Sequence, residues 1–151
     1  MNSHPCTLYR DFPSNGLQLI QDRLSAAVDR TQNTRPIPVL FRADDIGALS
    51  SNFLRLLDLF RLHRMPLCLA VVPTWLTHAR WSAIKDHVDT DSTQWCWHQH
   101  GWSHTNHQRS GKKAEFGQAR SKNSLAHDLT RGRDRLLAIG GTDFSPFFTP
   151  P

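Results

Sequence analysis

The chain has 151 residues, 38% hydrophobic and 21% charged, which is ordinary globular usage and excludes a collagen, a coiled coil or a wholly disordered chain. That length suits one domain, and no apolar run approaches the roughly 18 residues that a transmembrane helix needs. Eighteen Lys and Arg against thirteen Asp and Glu give a net charge of +5, spread along the chain, so the chain is mildly basic without being a nucleic-acid-binding arm.

Residues 1–16 read as an irregular lead-in. They contain no apolar core of a secretory signal, so a cytoplasmic location is expected. Leu17, Ile20, Leu24 and Val28 recur on one face and predict a helix from Leu17 to about Arg30. A loop with two prolines follows. Ile37 to Ala43 reads as a short strand running into Asp44 and Asp45. Ser50 or Ser51 caps a helix with Phe53, Leu56, Leu57 and Phe60 on its apolar face, and Pro66 lies past its end. The continuous apolar run Leu67 to Val72 suits a strand covered on both faces. Thr74 to Val88 is expected to be helical, with Trp75, Trp81 and Ile84 as its stripe. Thr93 to Trp97 is a third strand, 105–113 a polar loop, and Phe116 to Ile139 a helix, at least from Leu125 onward, with Leu125, Leu129 and Leu136 on one face and Gly140-Gly141 as its stop. Phe144 to Phe148 opens a fourth strand.

Strands alternating with helices make an α/β fold with a parallel sheet. Residues 1–36 form the lead-in and helix, and 37–151 the strand–helix portion. The aspartate pair, Pro73, the histidines after strand three and the final Thr149-Pro150-Pro151 all fall where a strand ends. In parallel α/β folds those ends form one rim, where active sites sit.

Cys6, Cys68 and Cys96 are odd in number and form no CxxC pair, so a reducing compartment fits, and Cys68 and Cys96 read as buried thiols. Histidine is the unusual residue. Of nine, four (His98, His100, His104 and His107) crowd into ten positions. His100 and His104, four apart, would share one side of a helical turn and reach a single ion. A third ligand comes from the neighbouring strand end, where one carboxylate of Asp44-Asp45 binds and the other stays free to take a proton. Two imidazoles and a carboxylate make zinc the first choice, with nickel, cobalt or iron as alternatives. His98 reads first as a core histidine of the strand, the alternative being that it points into the barrel, and His98 or His107 is a candidate to protonate a leaving group. The cluster Arg109, Lys112, Lys113 and Arg120 reads first as a solvated loop.

These residues resemble a family. Phe41-Arg-Ala-Asp-Asp-Ile-Gly47 resembles the Asp-Asp-Gly motif of the NodB-type polysaccharide deacetylases (carbohydrate esterase family four). His100 to His104 resembles their H-x-x-x-H motif, and Phe148-Thr-Pro-Pro151 the start of their Arg-Pro-Pro motif. The resemblance covers about residues 38–151 and implies a partial (β/α) barrel and removal of acetyl groups from amino sugars or glycans. It makes Asp44 the general base and Asp45, His100 and His104 the metal ligands; Trp102, which lies between the two histidines, and Pro150 are the candidates for substrate contact. The chain departs from the family at three places. Ile46 intervenes before Gly47, Gly101 replaces a Ser or Thr, and Thr149 stands where the family has the arginine that orients the base. No counterpart of the family's C-terminal acid histidine is present.

A closed barrel takes about 200 residues or more, so the barrel portion is expected to be incomplete at its C-terminus. The alternative reading is therefore a catalytically inactive deacetylase-like protein that binds a glycan or a partner chain. Open sheet edges would favour self-association. No helix-turn-helix, RRM or zinc-finger pattern points to nucleic acid, and nothing points to a membrane.

Overall fold

The structure is a computed structural model that describes residues 12–30, 38–88 and 93–151. The chain divides into two compact units, Met1–Val39 and Leu40–Pro151. The described part of the first unit is chiefly one helix, α1 (Gly16–Arg30), which carries the expected stripe. Most of the lead-in, Cys6 and Ile37 lie outside the described residues.

The second unit runs β1 (Arg42–Ile46), α2 (Ser51–Leu62), β2 (Leu67–Val71), α3 (His78–Lys85), β3 (Trp95–His100), α4 (Lys122–Gly140), a short 3₁₀ turn (Gly141–Asp143) and β4 (Phe144–Thr149). The fold is α/β, as the alternation implied. The four strands pair in parallel in the order β1-β2-β3-β4. Right-handed crossovers taken in one direction put every connecting helix on the same face, and the core agrees. Phe53 and Leu57 of α2, Trp81 and Ile84 of α3, and Leu136 of α4 bury against Leu67, Leu69, Val71, Trp95, Trp97 and Phe144 of the sheet. Leu69 is fully buried, so truncating it to alanine would cost about 2–5 kcal/mol. The alternate positions of each strand face the other way. There Arg42, Cys68 and Cys96 form one row across three strands, with His98 and His100 further along β3.

Four element boundaries differ from expectation. β1 begins at Arg42 and contains both aspartates, because the ladder to β2 opens at the Arg42–Cys68 pair and Pro38 upstream has no N–H to offer one. α3 is shorter than the helix expected over 74–88. Thr77 caps it by accepting the Arg80 N–H, so Thr74 to Thr77 stays outside the helix. β3 runs on past Trp97 through His98, Gln99 and His100, since β2 and β4 pair with it on both sides. α4 begins at Lys122, where Ser121 accepts the Ser124 N–H; residues 116–121 lie outside it. Among the described residues, no helix is long and apolar enough to cross a membrane.

Candidate metal centre

The register between β1 and β2 slips between Ala43 and Ile46, so three steps on β1 span two on β2. This one-residue bulge falls on the aspartate pair, and bulges re-aim side chains. Asp45 takes a left-handed backbone, φ 64°. The departure seen in the sequence, Ile46 before Gly47, thus sits at the bulge. Gly47 is needed for a different reason: a Cβ there would lie 2.5 Å from Cβ of Trp75. The glycine makes room for Trp75, whose ring centroid is 5.7 Å from that of His104.

His100 is the last residue of β3 and only 2% exposed. His104 lies in the irregular segment that follows, with φ 56°. The two imidazoles therefore do not share a helical turn, as the spacing suggested. Two left-handed residues, Gly101 (φ 63°) and His104, fold the chain back so that the rings meet with centroids 5.4 Å apart. Aspartate and histidine tolerate this conformation better than most side chains, yet each such residue still costs on the order of 1–3 kcal/mol. Two of the three candidate ligands bear that cost.

Oδ1 of Asp45 lies 3.4 Å from Nε2 of His100 and 3.1 Å from Nε2 of His104. All three ligand atoms fall within 4.8 Å of one another. Bonds of about 2.0–2.1 Å in a tetrahedral site imply ligand-to-ligand distances of about 3.3–3.4 Å, so the donor set fits a metal in spacing as well as in chemistry. Nδ1 of His100 is 3.0 Å from the carbonyl oxygen of Thr149. A carbonyl only accepts, so Nδ1 carries the proton. In the neutral ring, Nε2 then presents its lone pair to the Asp45 carboxylate. A cation between these groups would satisfy all three acceptors at once.

Asp44 is not one of the three. Nε and Nη2 of Arg42 grip its two oxygens at 2.7 and 3.0 Å, and both side chains are exposed enough to meet solvent. His98, 4% exposed, places Nε2 2.9 Å from Oγ1 of Thr149. Burial lowers its pKa; it is a buried, hydrogen-bonded histidine, but on the sheet face turned away from the helices and their core. His107 uses its N–H to close a loop on the Ala114 carbonyl. The Trp102 ring lies under the Arg131 guanidinium, 4.0 Å from its centroid, and Asp128 holds Arg131 and Arg120, both at 2.7 Å. Arg120 is thus committed to an ion pair, while Arg109, Lys112 and Lys113 stay on the exposed loop. Pro150 follows β4 and is exposed.

Sequence reasoning missed Glu115. It is 2% exposed and accepts hydrogen bonds from the N–H groups of Trp102, Ser103 and His104 and from the Ser103 hydroxyl, at 2.8–3.1 Å. The available signal was a lone acidic residue among Arg109, Lys112, Lys113 and Arg120. No protein-family model, curated protein or solved structure matches this chain.

Proposed function

We propose that the chain is a metal-dependent hydrolase resembling the NodB-type polysaccharide deacetylases, removing acetyl groups from amino sugars or glycans. The observation that carries this reading is the convergence of Asp45, His100 and His104 on one point. The sheet supports it. A doubly wound sheet reverses its strand order, whereas this one runs β1-β2-β3-β4 with its helices on one face, the winding of a partial (β/α) barrel.

Asp45, His100 and His104 would hold the cation, and two imidazoles with one carboxylate favour zinc. When bound, such an ion supplies a Lewis acid that polarises a carbonyl and brings the pKa of water towards about 7. Asp44, next to Asp45 on the same strand end, would be the group that takes a proton from water. Arg42 occupies one lone pair on each Asp44 oxygen and leaves the others free to accept. Arg42 supplies from within β1 the fixed guanidinium that Thr149 does not. Substrate would lie against Trp102 and Pro150, with the half-exposed Trp75 ring beside His104 as a further flat surface for a sugar.

The test is zinc content and acetate release from an acetylated chito-oligosaccharide. Stoichiometric zinc in the wild type, lost in His100→Ala, and turnover abolished in Asp44→Asn with zinc retained are the expected results. Zinc-loaded wild type that releases no acetate from N- or O-acetyl sugars leaves the binding-protein reading in its place. Full activity in Asp44→Asn removes that residue from the mechanism.

A further inference from the structure

We propose that Glu115 is a positioning residue for the metal centre, setting His104 through the backbone of residues 102–104; this rests on the metal-site reading above. Three consecutive N–H groups curl around one point and make an anion-binding concavity. In this chain the concavity is filled from within, by a carboxylate that is itself 2% exposed. Oε2 accepts from Trp102 at 3.0 Å and from His104 at 3.1 Å, and Oε1 accepts from the Ser103 N–H at 2.8 Å and its hydroxyl at 3.0 Å. Four donors offset the desolvation of a buried charge.

The contact bears on the ligand because the His104 N–H is one of the four. His104 holds an unfavourable backbone conformation, and such a conformation persists only where its surroundings over-determine it. Glu115 is the group that does so. Gly101 shows the same fit from the other side, since a Cβ there would collide with Oε2 of Glu115. The glycine that departs from the deacetylase pattern is therefore the residue this carboxylate requires. The return path is also built. Asn106 Oδ1 accepts from Gln108 and Ala114, both at 3.0 Å, and the His107 N–H reaches the Ala114 carbonyl at 3.1 Å. This pinches off residues 107–114 and delivers Glu115 beneath 102–104.

The experiment is a chelator-competition titration of zinc on the full chain, with the visible spectrum of the cobalt(II)-loaded site read in parallel. Glu115→Gln places an amide N–H₂ against these donors. It is expected to weaken zinc about 10- to 100-fold, the usual effect of losing a partner behind a ligand, and to change the cobalt bands. Ser103→Ala deletes the hydroxyl donor alone and is expected to weaken zinc about 2- to 10-fold. If Glu115→Gln lowers the melting temperature but keeps wild-type affinity and spectrum, the carboxylate only stabilises the loop and the proposal is overturned. If Glu115→Gln has no cooperative melt, Ser103→Ala decides, and wild-type affinity there overturns it. Absence of zinc binding by the wild type is a different result, which removes the metal site itself.

Discussion

The carbonyl oxygen of Thr149 accepts the Nδ1 proton of His100 at 3.0 Å. The same residue meets His98 through its hydroxyl, Oγ1 to Nε2 at 2.9 Å. One residue at the end of β4 thus serves two histidines by two chemically separate groups. β4 reaches this point because its register against β3 shifts between Trp97 and Gln99, where two steps on β3 span four on β4, so that Thr149 pairs with His100.

This separation predicts the behaviour of Thr149→Ala. The substitution deletes the hydroxyl and leaves the carbonyl. His98, buried, loses a partner, which costs on the order of 1–3 kcal/mol of stability. His100 keeps its tautomer, so zinc affinity should stay within about threefold of wild type by the small perturbation expected when the ligand's own partner is kept. Urea denaturation and zinc titration read the two effects. A large loss of zinc affinity with unchanged stability would reverse the assignment of the two groups.

Asp45 gives a second prediction, on the tension between stability and function. Its φ of 64° is free to glycine and costly to aspartate. Asp45→Gly should abolish zinc binding while stabilising the metal-free protein by about 1 kcal/mol. The gain comes from relieved backbone strain and is measured by denaturation in excess chelator. A destabilised Asp45→Gly variant would show that the bulge does not hold the aspartate under strain.

How far the sequence foretold this centre depends on which interaction is considered. The core strands were legible because Leu67 to Val71 is a continuous apolar run and needs no context. The three ligands were legible as residue types at strand ends. Their geometry was not. The spacing of His100 and His104 suggested a helical turn, but the actual convergence depends on φ at Gly101 and His104, and a positive φ at histidine leaves no compositional mark. The extension of β3 through His98, Gln99 and His100 was hidden because polar residues there pair with two strands, a tertiary effect that overrides local pattern. Glu115 left only the mark of a lone acid in a basic loop, because three of its four donors are backbone N–H groups, which every sequence carries.

The paired thiols carry the pH prediction. Cys68 and Cys96 are register partners on β2 and β3. Burial first, and then the neighbouring Cys96 thiol, push the Cys68 pKa up, against a smaller lowering by Arg42. A raised pKa means that folding favours the neutral thiol. Its contribution to stability is whole below the ordinary thiol pKa and is lost as pH rises through the folded value. Stability should therefore decline on the alkaline side, and less so in Cys68→Ser. At neutral pH, in a Cys6→Ser background, iodoacetamide should label Cys68 more slowly in buffer than in urea, because the thiolate is the nucleophile. Equal rates would contradict the shift.

β4 bears on assembly. Among the described residues it has no strand on its outer side, and an unpaired edge is a template for another chain. Beside it a cavity of about 340 Å³ between β4 and α4 is lined by Leu136, Leu137, Phe144, Phe147 and Phe148. Phe147 is 63% exposed, an unusual placement for a large apolar ring on a strand. Pro146, which lacks an N–H, interrupts that edge but does not cover the ring. The second unit should therefore self-associate as concentration rises, which light scattering reads as a growing mean mass. Phe147→Lys puts a charge on the edge and should shift the distribution towards monomer without altering zinc affinity, since Phe147 is none of the three ligands. A wild-type chain that stays monomeric at every concentration would show that the edge and its apolar neighbour attract no second copy.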